Sequence, residues 1–220
     1  MSETKEVGIV VKMLDYDDYD QIITIITSTE VIGIIALGVR KINSKNRVAL
    51  QLGNIIEVEL FRARLNGKLS KLKRANIIKQ PPILELDTAE VLLEIVGYLV
   101  KVKDSPKNIL SMIFESFPFL GTQYNHHVKT YIMFHYLNII GQMPTSHGCI
   151  ECGSLDHIDG FEFYQGGFTC KRHIIKSRDL EFLKAIQSIG HSFIDYKTVD
   201  ASTNKLVFAE IKDFISRSNW

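Results

Sequence analysis

The stretch Ile55–Ile78, IIEVELFRARLNGKLSKLKRANII, holds two strand-like runs separated by Asn66-Gly67. Asn and Gly both tolerate positive φ, which a two-residue hairpin turn requires. The stretch reads as two antiparallel strands, Ile55–Leu65 and Lys68–Ile78. Upstream lie three more β-branched runs: Val7–Leu14, Gln21–Thr27 (QIITIIT) and Val31–Leu37 (VIGIIAL). Gly, Asn, Ser and Asp fall between them, as turns require. Downstream, Pro81-Pro82 marks a boundary, and the apolar spacing changes to helical period. Asp87 with Glu90 reads as a capping pair ahead of Val91, Leu92, Ile95, Val96, Leu99 and Val100. Further helices are expected over Pro106–Phe117, Tyr124–Ile140, Arg178–Ile189 and Lys205–Ser216, with residues 141–176 irregular. Five antiparallel strands in about 80 residues suit an OB-type barrel better than a sandwich. The expectation is an α+β chain. Residues 1–80 form a five-stranded OB-type β-barrel, and residues 81–220 a mostly helical domain with a zinc-finger-like module at about 145–176.

The hairpin has a consequence for its own charges. A turn at Asn66-Gly67 sets Arg62 opposite Lys71, and like charges directly opposite destabilise a pair of strands. Either a bound anion or a bulge that shifts the register would relieve the repulsion.

The whole chain of 220 residues has a net charge of only +1. The segment Arg40–Lys79 nevertheless holds eleven basic residues against Glu57 and Glu59, a surplus of nine, so the remainder is acidic. Such asymmetry fits either a polyanion partner or a solvated basic face. Its first part, Gly38–Arg47, reads as a flexible cationic loop, with Asn and Ser as extra phosphate donors. Aromatic platforms for stacking bases are sparse there, Phe61 alone, so a backbone-dominated mode is expected, open to duplex as well as single strands. With 45% hydrophobic and 23% charged residues, a largely disordered chain is excluded. No run approaches the ~20 apolar residues of a membrane span, and Met1–Glu6 is too polar to open a secretory signal. A cytoplasmic protein that does not engage membranes is expected.

All three cysteines fall in one pattern, Cys149-x2-Cys152-x17-Cys170-x2-His173. Two knuckles of paired ligands make a tetrahedral cage, and thiolate with imidazole suits Zn2+. A cage closed by four protein ligands leaves no open position, so the role would be structural. His147 and His157 compete with His173 for the fourth place. Enzyme chemistry finds no support: H-x-E, H-E-x-x-H, the Walker phosphate loop and G-x-S-x-G are all missing. Asp15, Asp17, Asp18 and Asp20 lack EF-hand spacing and read as an exposed acidic loop. His126-His127, at a helix start, reads as partly exposed surface.

The chain resembles the bacterial recombination mediator family RecO. The likeness runs nearly end to end. It rests on Val7–Val11, on Asp20–Thr27, on Ala36-Leu-Gly-Val-Arg-Lys41 with Ser44, and on Leu52-Gly53. It is most specific at Gly148-Cys-Ile-Glu-Cys-Gly153 with the later Phe161–Phe163, Gly166-Gly167 and Cys170. Family members commonly carry a fourth Cys where this chain has His173, and some lack the cysteines altogether. The resemblance implies a DNA repair and recombination mediator. Such a protein binds single- and double-stranded DNA, anneals complementary strands, and helps load RecA recombinase onto DNA coated by single-strand-binding protein. The implied partners are RecR and the acidic C-terminal tail of single-strand-binding protein, with RecA engaged indirectly, in a bacterial, nucleoid-associated setting. On this reading Arg40, Lys41, Lys45 and Arg47 form the DNA face, extended by Lys68, Lys71, Lys73 and Arg74. Cys149, Cys152, Cys170 and His173 hold the metal, and no residue is catalytic. A zinc-stabilised interaction scaffold and an RNA-binding OB protein are the competing readings.

Overall fold

The computed structural model describes residues 3–65, 67–82, 85–103 and 108–217. By packing, the chain divides into two compact units, Met1–Phe114 and Glu115–Trp220.

The first unit is built on β1 (Glu3–Asp15), β2 (Gln21–Thr27), β3 (Val31–Ala36), β4 (Ile55–Phe61) and β5 (Ser70–Lys79). They close into a barrel in the order β1-β2-β3-β5-β4. The closure depends on two features. The long β1 pairs with β2 at one end and β4 at the other, bending at a bulge between Val10 and Lys12. One parallel contact, Ile34↔Ser70 and Ile35↔Lys71, joins β3 to β5, so the sheet is not wholly antiparallel as the hairpin pattern suggested. This strand order and closure are those of an OB barrel. Val10, Ile23, Ile25, Ile32, Ile34, Ile56, Val58 and Leu60 alternate inward and fill the core. At Gly8 a β-carbon would stand 2.7 Å from the Ile26 carbonyl oxygen, so the close crossing of β1 on β2 admits only glycine.

The β4–β5 register resolves the charge conflict in the hairpin. It shifts between Glu59 and Leu60, which pairs Glu59 with Arg74 and Phe61 with Lys71. The bulge relieves the repulsion, and no anion is needed. Both strands stop short of the expected turn, at Phe61 and Ser70. Gly67 has φ +76°, while Asn66 lies outside the described residues.

The change from strands to helices falls at Pro81-Pro82, between β5 and α1 (Leu86–Leu99). The division by packing falls later because α1 lies on the barrel. Gly53, at φ +79°, sits so close that its missing β-carbon would meet the Leu92 side chain at 2.8 Å. Thr88, Val91, Leu92, Ile95, Val96 and Leu99 make the buried stripe of α1. The N-cap position is Glu85, without a side-chain cap, and Asp87 lies inside the first turn. There its charge complements the helix dipole. The second expected helix is α2 (Ile109–Ser116); Pro106 lies outside the described residues.

The second unit holds α3 (Asn125–Ile139), the hairpin β6 (Ile158–Glu162) and β7 (Gly167–Cys170), and then α4 (Leu180–His191), α5 (Phe193–Tyr196) and α6 (Ala201–Arg217). α3 is buried on nearly all sides, as its unbroken apolar run requires. The segment read as irregular contains a two-stranded sheet too short for periodicity to reveal. α4 begins after Arg178, whose backbone N–H donates to Asp159 O at 2.9 Å while its side chain reaches three further acceptors. Its guanidinium donates to Glu210 at 2.6 Å, to Glu162 at 2.9 Å and to the Phe161 carbonyl at 3.1 Å, clamping α6 to β6. α6 starts a turn earlier than expected because Asp200 caps it, accepting from the amides of Ser202 and Thr203, each at 3.0 Å. The Ser202 and Thr203 side chains, together with those amides, hold the Asp200 carboxyl well below the usual carboxylate range.

Candidate nucleic-acid interface and metal centre

Residues 37–54, between β3 and β4, form a chain of tight turns. Lys41 N–H donates to Gly38 O, Ser44 N–H to Lys41 O and Leu50 N–H to Asn46 O. The loop is not the flexible segment its composition suggests. Val39, Ala49 and Leu50 are buried in the barrel core, and Asn54 Nδ2 donates to Val48 O at 2.9 Å and to Ala49 O at 3.1 Å. Asn46 is fixed in place through its Oδ1, which accepts the Ala75 N–H at 3.0 Å. What projects outward is Arg40, Lys41, Lys45 and Arg47, all exposed.

The structure separates the eight basic residues by availability. Among the described residues, Lys41, Lys45, Arg47, Lys68, Lys71 and Arg74 make no ion pair, whereas Arg40 lies 3.2 Å from Asp15 Oδ2. Lys73 is engaged by Glu3 and Glu59, which raise its pKa. In turn, Lys73 and Lys5 hold the Glu59 carboxyl below its ordinary value. Arg62 is bound to Glu30 at 2.5 Å. The Asn46–Ala75 bond brings the loop alongside Arg74, joining the loop to one end of the β5 group. At the other end Lys68 lines a cavity of about 430 Å3 with Arg62, Ser70 and Lys103.

Sequence reasoning missed two aromatic side chains. Tyr16 and Tyr19, in the acidic β1–β2 loop, are 60% and 54% exposed. That loop is held against the basic one: Arg40 N–H donates to Tyr19 O at 2.9 Å and Gly38 N–H to Asp20 Oδ1 at 2.6 Å. Lys41 Nζ lies 5.4 Å from the Tyr19 ring centroid. The spacing to the basic segment, about twenty residues, gives no sequence signal of this proximity; only the strand order does.

In the second unit the sequence motif becomes a cluster. The ligand atoms of Cys149, Cys152, Cys170 and His173 all lie within 4.8 Å of one another. Each pair of ligands sits on a knuckle. Gly153 N–H donates to Cys149 O and Cys149 N–H to Ser154 O, both at 2.8 Å, and His173 N–H donates to Cys170 O at 2.9 Å. Gly148 and Gly153, at φ +69° and +71°, turn the first knuckle. Ile150 N–H donates to Phe168 O, tying that knuckle to β7, which carries Cys170.

The residues fit a tetrahedral metal. Bond lengths of about 2.3 Å to sulfur and 2.0–2.1 Å to nitrogen imply sulfur–sulfur edges near 3.8 Å and sulfur–nitrogen edges near 3.5 Å. Cys152 Sγ lies 3.9 Å from Cys170 Sγ, and His173 Nδ1 lies 3.5 Å from Cys149 Sγ and 3.4 Å from Cys170 Sγ. Neither His147 nor His157 belongs to the group. Burial pushes the Cys149 thiol up, but the amides of Cys170, Cys152 and Glu151, with His173, outweigh it and bring it down to about 6. Cys170 is lowered chiefly by the Arg172 amide. His173 is raised by its bonds to Cys149 and Cys170. The Ser154 amide favours a Cys152 thiolate, yet burial and the neighbouring sulfurs raise that thiol on balance. Four donors that cannot all ionise beside one another are what a divalent cation satisfies. The group can therefore hold a metal ion.

The barrel region, residues 1–81, matches the family model described as Recombination protein O N terminal. Over 175 residues the chain is 31% identical to the DNA repair protein RecO of Mycoplasma capricolum subsp. capricolum, covering 74% of this chain and 69% of the relative. The chain belongs to the RecO family. The RecO proteins of Mycoplasma mycoides subsp. mycoides SC and of an Exiguobacterium species are 28% and 24% identical, over 90% and 92% of the chain and 85% of each relative. The RecO likeness thus extends through both units. No helix among the described residues is long and apolar enough to cross a membrane.

Proposed function

We propose that this chain is a DNA repair and recombination mediator that binds single- and double-stranded DNA and anneals complementary strands. It further helps load RecA recombinase, together with RecR, onto DNA covered by single-strand-binding protein, whose acidic C-terminal tail it engages. It works in the bacterial cytoplasm at the nucleoid and performs no bond-making chemistry. The observation that carries the reading is the anchored loop of the RecO barrel, which presents Lys41, Lys45 and Arg47 without acidic partners.

Annealing needs no catalytic residue. Two strands repel each other through their phosphates. A rigid row of cations neutralises part of that charge and releases counterions, so complementary strands meet more often. Because Val39, Ala49 and Leu50 anchor the loop in the core, little order is lost when phosphates bind. Lys68, Lys71 and Arg74 extend the row along β5, with Lys73 held back by its carboxylates. In the second unit a structural Zn2+ on Cys149, Cys152, Cys170 and His173 would fix the β6–β7 hairpin. Loading is then an exchange of partners on one DNA strand.

Strand annealing tests the reading. Two complementary labelled oligonucleotides are mixed with and without the protein at low and moderate salt. Acceleration that fades with salt supports a mediator. A folded protein that binds neither strand and accelerates nothing overturns it.

A further inference from the structure

We infer that Tyr16 and Tyr19 form a base-stacking platform beside the cationic loop, making this face selective for single-stranded over duplex DNA. The inference deepens the nucleic-acid reading above and rests on it. Two aromatic rings, each more than half exposed, stand on one short loop, so flat apolar faces are available to a ligand there. Neither contributes to the barrel core. The loop that carries them is not loose. Tyr16 N–H donates to Asp20 O at 3.1 Å, and Asp20 Oδ1 accepts the Gly38 N–H across the gap to the basic loop. The loop is thus held at the border of the cationic row, with the Tyr19 ring 5.4 Å from Lys41 Nζ. Ile42, 95% exposed, and Leu37, 51% exposed, add apolar surface on the basic side of that border.

The charges sort a strand into two lanes. Asp15, Asp17 and Asp18 repel phosphates from the tyrosine loop, while Lys41, Lys45 and Arg47 attract them. A single strand whose backbone follows the cations can turn its bases towards Tyr16 and Tyr19, where any base stacks. A duplex keeps its bases paired and inside and gains only the phosphate contacts. Lys41 over the Tyr19 ring couples the lanes, since the ring attracts the same cation that a phosphate would take. Removing that ring frees Lys41. On charge alone, truncating Tyr19 would strengthen binding, so a loss of affinity reports stacking.

The test compares the full chain with Tyr16→Ala/Tyr19→Ala and with Tyr16→Phe/Tyr19→Phe. Affinity is measured by fluorescence anisotropy on a thymidine oligonucleotide and on a duplex of equal length, at three salt concentrations. The alanine pair should bind the single strand at least about tenfold more weakly. It should bind the duplex within twofold of the parent, with unchanged salt slopes, and the phenylalanine pair should bind like the parent. Unchanged single-strand affinity overturns the platform while leaving the cationic interface standing, as does an equal loss on both substrates. A parent chain that binds neither substrate overturns the nucleic-acid reading itself, and the platform with it. Circular dichroism of each variant confirms that the barrel is retained.

Discussion

Asn46 Oδ1 accepts the backbone N–H of Ala75 at 3.0 Å, fastening the cationic loop to β5. The bond spans 29 positions in the chain and sits between two exposed cations of the loop, Lys45 and Arg47, and one of the strand, Arg74. Asn46→Ala would leave a part-buried donor without its partner, at a cost of about 1 kcal/mol in stability. The larger consequence is for geometry. DNA affinity should fall severalfold while the salt slope stays near that of the parent, because the charges remain and only their spacing loosens. Chemical denaturation and a salt-titrated binding series check the two halves. A slope that drops with the affinity would show that Asn46 does not position the cations.

The basic residues should contribute unequally. Lys45→Glu/Arg47→Glu removes two cations that have no acidic partner, so the logarithmic salt slope should fall by roughly 2, at about 0.9 per phosphate. Arg40→Glu/Lys41→Glu should also weaken binding and flatten the slope. Part of its effect comes from new repulsion, since Asp15 already lies 3.2 Å from Arg40. Lys73→Ala is the contrasting case. Its ammonium is held by Glu3 and Glu59, so the variant should keep the parent's salt slope, with only a modest loss of affinity from the two carboxylates it uncovers. An unchanged slope in the Lys45/Arg47 variant would remove those residues from the contact surface.

Much of this division was hidden in the linear sequence, and the reasons are physical. Strands β1 to β3 were legible because their β-branched runs are long and bounded by turn residues. The basic surplus of Arg40–Lys79 could be counted, but whether a cation is free depends on cross-strand neighbours. Arg62 is held by Glu30 from the β2–β3 turn, 32 positions away, which no reading of the linear sequence shows. The three cysteine ligands were legible because their spacing alone names them, while only the cluster itself selects His173 over His147 and His157. The β6–β7 hairpin that holds them was not legible, because five and four residues carry too little periodicity. Tyr16 and Tyr19 carry no signal in the sequence because Asp residues surround them; only the barrel's closure brings their loop beside Arg40.

Metal removal should affect the second unit selectively. The full chain should release about one equivalent of zinc per chain on denaturation with a thiol-reactive agent, read by a colorimetric chelator. Cys149→Ser should lose the metal and unfold at a clearly lower temperature, since three donors remain beside the β6–β7 hairpin with no ion to organise them. His173→Cys should keep it, as thiolate serves the same tetrahedral position. Single-strand binding by the barrel should survive in both. A full complement of zinc in Cys149→Ser would exclude this cluster as the site.

Acid should destabilise the second unit through two histidines on α3. His127 is 7% exposed, and its Nε2–H donates to Val199 O at 2.8 Å. His135 Nε2–H donates to Ile189 O at 3.0 Å. Burial lowers both pKa values from the ordinary 6.5, and the carbonyl bonds only partly offset it. The folded form therefore binds fewer protons than the unfolded one. Stability is retained above pH 6.5 and lost as pH falls from there through the folded values. Nδ1 of His127 has no hydrogen-bond partner, so a proton added there gains nothing to offset the buried charge. The denaturation midpoint of the full chain should fall between pH 7.5 and pH 5. His127→Gln keeps a donor towards Val199 and cannot titrate, so the fall should be shallower in that variant. Metal loss in acid is common to both proteins and cancels in the difference. An identical pH profile for the two would remove His127 from the acid response and leave it to His135 and the metal cluster.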